Sequence, residues 1–207
     1  MKICGITRHE DLEELVKLRT NAAGFILAES PRKVSTDFIR SCREFDILKI
    51  GVVVLERGTE LPLEIAELLE DGFLDAIQFH GDELASEYIR WPGYKAVRLR
   101  NLNDVEGIRT LPGPAVLIDA FNTQNRGGTG KQIDSELVMA VKNQQELWIA
   151  GGINPDNIYE VIQSFNPDLI DVSSGVEKAP GEKDHEKLHN LFKRLKEAEE
   201  ISTYGYV

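Results

Sequence analysis

The sequence predicts an α/β protein that folds as a single (β/α)8 TIM barrel, and three observations support this prediction. Short aliphatic runs recur at roughly even spacing along the 207 residues. Several runs are nearly continuous rather than alternating, which is typical of parallel strands covered on both faces. Amphipathic helical stretches lie between them. Eight strand–helix units of about 26 residues fit this length, and eight such units can close into a barrel.

The predicted strands are runs of β-branched and aliphatic residues. They are Lys2–Ile6, Gly24–Leu27, Leu48–Val54, Ala76–His80, Lys95–Leu99, Ala115–Ala120, Leu147–Gly151 and Leu169–Val172. The predicted helices are Arg8–Thr20, Leu61–Glu70, Asn101–Thr110, Ile133–Val141, Pro155–Phe165 (with Asn154 as N-cap) and Glu182–Glu199. An open doubly wound sheet is the competing architecture, although no Gly-x-Gly-x-x-Gly motif follows the first strand. Residues 1–207 show no linker, so we expect one domain.

Composition and charge exclude several classes of function. The formal net charge of −11 argues against nucleic-acid binding, which needs clustered Lys and Arg. No apolar run approaches the ~18 residues of a membrane helix. The N-terminal residues have no signal-peptide pattern, so we expect a cytoplasmic protein in which Cys4 and Cys42 stay reduced. The sequence leaves open whether the chain is a monomer or a homodimer.

The loops after strands seven and eight predict a phosphate site. Active sites of these barrels lie at the C-terminal strand ends, and phosphate commonly binds these two loops. Gly151 and Gly152 allow a ligand close to the backbone, and Ser173 and Ser174 offer hydroxyl and N–H groups. Glycines that only make tight turns are the alternative interpretation.

Four further side chains at strand ends are candidates for the chemistry. Cys4 and Asp119 are the predicted acid–base pair, because an aspartate after an apolar run is desolvated unless it serves a function. An inert buried cysteine is the alternative for Cys4. Arg32 is a planar partner for a carboxylate or aromatic ring, unless it is merely solvated. His80 is a candidate ligand or general acid, or else a structural histidine.

Two short motifs resemble known sites without fulfilling them. Gly127–Lys131 lacks the first glycine and the final Ser or Thr of a nucleotide P-loop, so we interpret it as a lid after strand six. His185–His189 matches the His-Glu-x-x-His zinc pattern, but it lies in the last outer helix and no third ligand is evident. We therefore expect neither a nucleotide nor a metal.

Seven motifs in order resemble the phosphoribosylanthranilate isomerase family from end to end. They are Lys2–Thr7, Ser30–Arg32, Gln78–Glu83, Ile118–Ala120, Gly127–Lys131, Ala150–Pro155 and Asp171–Glu177. The family often has one more residue before the Ser-Pro-Arg motif. Here the acidic Glu29 stands near Arg32, which bears on how anthranilate would bind.

The resemblance implies an Amadori rearrangement of N-(5-phosphoribosyl)anthranilate in tryptophan biosynthesis. It implies that Asp119 is the general acid, that Cys4 is the general base and that Arg32 contacts the anthranilate moiety. Asp171 would face the sugar hydroxyls, with Gly151, Gly152, Ser173 and Ser174 on the phosphate. Every step is a proton transfer, so no cofactor is expected, and the partner is a small phosphorylated aminosugar.

Two rival functions remain. The sugar isomerase of histidine biosynthesis performs the same rearrangement, but it would have an aspartate base on strand one and a second phosphate half-site. The other rival is a non-catalytic barrel that only binds a phosphorylated ligand. The presence of both Cys4 and Asp119 argues against it.

Overall fold

The eight strands form a closed barrel in which β1 pairs with both β2 and β8, and all pairings are parallel. The computed structural model describes residues 1–113, 115–119, 135–143 and 146–204. The barrel strands are β1 (Lys2–Cys4), β2 (Ala22–Ile26), β3 (Leu48–Val53), β4 (Ala76–Phe79), β5 (Gly93–Arg98), β6 (Val116–Asp119), β7 (Trp148–Ala150) and β8 (Leu169–Val172). The predicted barrel is therefore confirmed, and the open sheet is not found.

Helices alternate with these strands in the described part of the chain. They are α1 (His9–Lys17), α2 (Thr36–Ser41), α3 (Leu63–Glu70), α4 (Ala85–Tyr88), α5 (Leu102–Ile108), α6 (Ser135–Lys142), α7 (Ile158–Phe165) and α8 (His185–Tyr204). A short 3₁₀ turn, Ser174–Val176, and a hairpin of β9 (Glu177–Ala179) and β10 (Glu182–Lys183) follow β8. None of the helices in the described ranges is long and apolar enough to cross a membrane.

Several predicted boundaries were wrong for local reasons. The last helix begins at His185 rather than Glu182, because Glu182 and Lys183 pair with β9 instead. The seventh helix begins at Ile158, although Asn154 accepts hydrogen bonds from the backbone of Asp156 and Asn157 as an N-cap would. The short helices α2 and α4 were not predicted, since neither spans enough residues to show a helical period. The predicted lid at Gly127–Lys131 lies outside the described residues.

Two apolar layers hold the barrel together. Strand side chains alternate between the interior of a barrel and its outer helices. The outer layer includes Ile3, Phe25, Ile77 and Ile118, all fully buried. A smaller cluster consists of Ala22, Ile50, Tyr94, Ala96 and Leu117. These five share the alternate face of their strands, so they fill the barrel interior.

A buried ion pair fixes the loops that follow β3 and β4. The Glu83 carboxylate accepts hydrogen bonds of 2.9 Å from the backbone N–H groups of Leu55 and Gly81. Lys95, on β5, donates to the same carboxylate and to the Gly81 carbonyl. Both charged side chains are buried, and removing one partner of such a pair would leave an uncompensated charge. This pair holds the backbone just after His80 in place.

We predict opposite stability effects for two glycine-to-alanine substitutions. A Cβ on Gly93 would lie 2.1 Å from the carbonyl oxygen of Ile77, so Gly93→Ala must push β4 and β5 apart. We expect a loss of about 1–3 kcal/mol in the free energy of unfolding. Gly107→Ala is the matched control, because a Cβ there meets nothing within 4 Å in helix α5. It should gain roughly 0.5–1 kcal/mol. Urea denaturation measures both, and equal effects would contradict this account of strand contact.

Candidate active site

The site lies at the C-terminal ends of the barrel strands. A cleft of about 1030 Å³ opens there, and its lining comes from β5 and from the segments that follow β3, β4 and β5, including His80, Lys95 and Arg98. A smaller cleft of about 670 Å³, lined by residues such as Thr20 and Leu48, lies at the opposite end. Active sites of this fold occupy the C-terminal end, and the sequence candidates lie there too.

Cys4 and Asp119 both face the barrel interior. Asp119 follows the interior residue Leu117 by two positions, and Cys4 follows Lys2 by two positions, which keeps each pair on one face of its strand. Cys4 is 7% exposed, whereas Asp119 is partly exposed. The two side chains therefore belong to the same barrel end, as the acid–base hypothesis requires.

The charges around Cys4 compete. Burial raises the pKa of the Cys4 thiol, and the Asp171 carboxylate raises it further. The ammonium groups of Lys2 and Lys183 act in the opposite direction. The net effect is a raised pKa, because burial is the largest of these contributions.

His80 directly follows β4 and faces the same end of the barrel interior. Burial lowers the pKa of the imidazole, and the charges of Arg98, Lys95 and Lys2 lower it further, while Asp119 opposes them. His80 is therefore neutral at neutral pH and can either donate or accept a hydrogen bond.

The two loops that the sequence predicts to bind phosphate lie against each other. Gly151 and Gly152 have φ angles of 98° and 57°, in the left-handed region that glycine tolerates. A Cβ on Gly175 would lie 1.9 Å from the carbonyl oxygen of Ile153, so the loops after β7 and β8 are in direct contact. Within the described ranges, the backbone N–H groups of Gly152 and Ser174 donate to no acceptor. Free N–H groups on touching loops suit an anion.

Arg32 is held by a residue that the sequence reasoning did not select. Its Nε and Nη2 atoms donate to the Glu177 carboxylate at 2.7–3.1 Å. Glu29, which was suspected of interfering, pairs with Lys33 on the surface instead. Arg32 packs over the end of β1, where its Cδ lies 2.7 Å from the position of a Cβ on Gly5.

Glu177 also receives Lys183 from β10. The Lys183 ammonium donates to Glu177 at 2.8 Å, to the Cys4 carbonyl at 2.6 Å and to the Ser173 carbonyl at 3.2 Å. Burial alone would raise the pKa of Glu177, but hydrogen bonds from Arg32 and Lys183 hold it below its ordinary value. The hairpin after β8 therefore ties together the ends of β1 and β8. The sequence analysis selected neither Lys2 on β1 nor Lys183 on β10. The alternation of side chains along a strand could have indicated that Lys2 faces the barrel interior, but no local pattern marked Lys183.

The zinc-like histidines lie elsewhere. The Nε2 atom of His185 is 2.9 Å from the Asp11 carboxylate, and that of His189 is 2.8 Å from Glu14. Both carboxylates belong to α1, so these contacts join the first helix to the last. Their place is the outer helical layer, away from the strand ends.

Comparison with known proteins agrees with this geometry. The family model for N-(5'phosphoribosyl)anthranilate (PRA) isomerase matches residues 1–194. The N-(5'-phosphoribosyl)anthranilate isomerase of Caldanaerobacter subterraneus subsp. tengcongensis is 35% identical over 204 residues, covering 95% of this chain and 97% of the relative. That of Clostridium acetobutylicum is 36% identical over 210 residues, covering 95% and 97%.

Solved structures of the same family are also similar. Phosphoribosyl anthranilate isomerase from Thermotoga maritima superimposes with a TM-score of 0.79 at 32% identity, covering 95% of this chain and 98% of that one. A phosphoribosyl anthranilate isomerase complexed with reduced 1-(o-carboxyphenylamino)-1-deoxyribulose 5-phosphate gives a TM-score of 0.76 at 31% identity, with 95% and 97% covered. With barrel, rim residues and relatives in agreement over nearly the whole chain, this protein belongs to the N-(5'-phosphoribosyl)anthranilate isomerase family.

Proposed function

We propose that this protein converts N-(5-phosphoribosyl)anthranilate into 1-(2-carboxyphenylamino)-1-deoxyribulose 5-phosphate in tryptophan biosynthesis. The observation that carries the proposal is the placement of Cys4 and Asp119 at one barrel end, beside two touching loops with free N–H groups. An acid, a base and an anion cradle around one pentose are what this rearrangement requires.

The acid opens the sugar ring in the proposed sequence. Asp119 donates a proton to the furanose oxygen, the bond from C1 to that oxygen breaks, and the nitrogen lone pair forms a Schiff base. Asp119 follows three buried apolar residues and keeps partial exposure, which leaves its carboxyl group accessible at the end of β6. The charge of Asp119 acts on the pKa of His80, so the two side chains are close. We propose that the neutral imidazole contacts the substrate.

The base completes the isomerisation. The Cys4 thiolate takes the proton from C2, the electron pair forms the C1–C2 double bond, and the Schiff base becomes an enolamine. C1 then gains the proton that the Cys4 thiol carries, and the C2 hydroxyl gives its proton to the Asp119 carboxylate. This step gives the ketone and returns both side chains to their starting protonation. Protons and electrons balance within the substrate and these two side chains, so the chemistry requires neither a metal nor a redox group.

The remaining residues bind the two ends of the substrate. We assign the phosphate to Gly151, Gly152, Ser173 and Ser174, and the sugar hydroxyls to Asp171. Asp171 supports this role because its Oδ1 atom is buried with no hydrogen-bond partner among the described residues. Arg32 is assigned to the anthranilate moiety. Glu177 occupies its Nε and Nη2 atoms, so Nη1 and the guanidinium face are left for the substrate.

The proposal extends to the cellular setting. A catalytic thiolate must stay reduced, and both cysteines are free, which suits the reducing cytoplasm. The histidine-pathway isomerase gains no support, because strand one ends in a thiol and not a carboxylate.

We predict that Cys4→Ala and Asp119→Asn each lower kcat by about 10²–10⁴-fold, because each removes one proton-transfer group. Binding of the reduced product analogue should change little, since both variants keep the phosphate loops. The appearance of product is followed by anthranilate fluorescence, and binding by calorimetry. Full turnover in either variant would remove the proposed role of that residue.

The pH dependence should follow the raised pKa of Cys4. The base must be ionised, so kcat/KM is predicted to fall as pH falls below the thiol pKa and to keep rising with pH above neutrality. The measurement is kcat/KM from about pH 6 to about pH 10. The residual activity of Cys4→Ala should lack this ionisation. A flat profile for the unmodified protein across that range would contradict a thiolate base.

Arg32→Met should raise KM by at least about tenfold, because a charged hydrogen bond is worth about 1.5–3 kcal/mol. The effect on kcat should be smaller. Lys33→Met is the matched control, since Lys33 pairs only weakly with the exposed Glu29 at 3.4 Å. Steady-state kinetics measure KM and kcat for both variants. An unchanged KM in Arg32→Met would contradict a role for Arg32 in substrate binding.

A further inference from the structure

A lysine inside the barrel has no part in the chemistry described so far. Lys2, on β1, is 1% exposed. Its ammonium group lies 2.6 Å from Oδ2 of Asp171 on β8 and 2.8 Å from Oε1 of Gln78 on β4. It thus joins three strands inside the barrel.

This ammonium group keeps its charge. Burial alone would lower the pKa of Lys2, but the charge and hydrogen bond of Asp171, together with Cys4 and Tyr94, hold the pKa above its usual value. A buried charge costs several kcal/mol unless it is paired, and replacing such a pair by apolar groups is often neutral or stabilising. Stability alone therefore does not explain a lysine at this position.

The charge lies beside the Cys4 thiol. Lys2 and Cys4 are two residues apart on one strand, so their side chains point to the same face. On the neighbouring strand β2, a Cβ on Gly24 would lie 2.7 Å from the Cys4 Sγ and 3.1 Å from the Lys2 Cε. One small position therefore touches both the sulfur and the end of the lysine chain.

Other charged or titratable groups also lie near the thiol. Lys183 and Arg32 are both bound to Glu177, and Tyr94 donates to Gln78 and has its pKa raised by burial. Asp171 shares its Oδ2 with Lys2. Of the charges that act on Cys4, Lys2 has the largest effect.

We propose that Lys2 is a positioning residue that supplies the counter-charge for the Cys4 thiolate, with Asp171 limiting its strength. When Cys4 ionises, its proton leaves and the sulfur anion faces a permanent ammonium group. When the thiolate takes the C2 proton, Lys2 stays protonated, so it acts through Cys4 and transfers no proton itself. This inference rests on the proposed role of Cys4 as the base.

The test measures the thiol itself, without substrate. The rate of iodoacetamide alkylation at Cys4 is followed against pH by peptide mass spectrometry. Cys42, fully buried in the outer layer, reports unfolding in the same sample. Lys2→Met should shift the alkylation profile to higher pH by at least about one unit, a tenfold loss of rate near neutral pH. Asp171→Asn should shift it to lower pH.

Opposite shifts distinguish a counter-charge from a merely structural role, which would move both variants in the same direction. If Lys2→Met does not fold, the double variant Lys2→Met/Asp171→Asn removes the whole pair and leaves no unpaired charge. It should alkylate more slowly near neutral pH than Asp171→Asn alone.

Superimposable profiles in the presence and absence of Lys2, or shifts of the same sign, would overturn the proposal. The kcat/KM profile of Lys2→Met should move with its alkylation profile. Failure of Cys4→Ala to lose activity would instead overturn the proposed base, while the alkylation profiles would still report the effect of Lys2 on the thiol.

Discussion

The active end of this barrel depends on one ammonium group in its interior. Lys2 reaches Asp171 and Gln78, so a single charge joins β1, β4 and β8 inside the barrel. Without it, the buried Asp171 carboxylate would lose its ion-pair partner, which is costly. The same charge lies against Cys4. The strands that place the proposed base and the proposed sugar contact are therefore joined by a group whose charge acts on both.

A second polar network completes the rim. Glu177 binds Arg32 from the loop after β2 and Lys183 from the hairpin after β8, and Lys183 also binds the Cys4 carbonyl. Arg32 is thus held in place before substrate binds, because its Nε and Nη2 atoms already donate to Glu177. Preorganisation of this kind lowers the entropic cost of binding. The two networks meet at Cys4, one through its side chain and the other through its backbone.

Much of this arrangement follows from the sequence, and some of it does not. Continuous apolar runs predicted the strands because both faces of a closed parallel sheet are covered, and position at a strand end selected Cys4 and Asp119. The short helix α4 and the β9–β10 hairpin were missed. A helix of four residues and a hairpin with two residue pairs are both too short to show a hydrophobic period in the sequence. The partner of Arg32 was also missed, because Glu177 lies 145 residues away in sequence and only barrel closure brings it near.

The most direct test of the account is a crystal structure of this protein with the reduced product analogue. We predict that the phosphate contacts the N–H groups of Gly152 and Ser174. We also predict that the Cys4 sulfur lies within contact of the pentose C2, with the Lys2 ammonium still bound to Asp171. A pentose that lies away from Cys4, or a lysine turned out of the barrel interior, would contradict the claim that one buried charge organises this site.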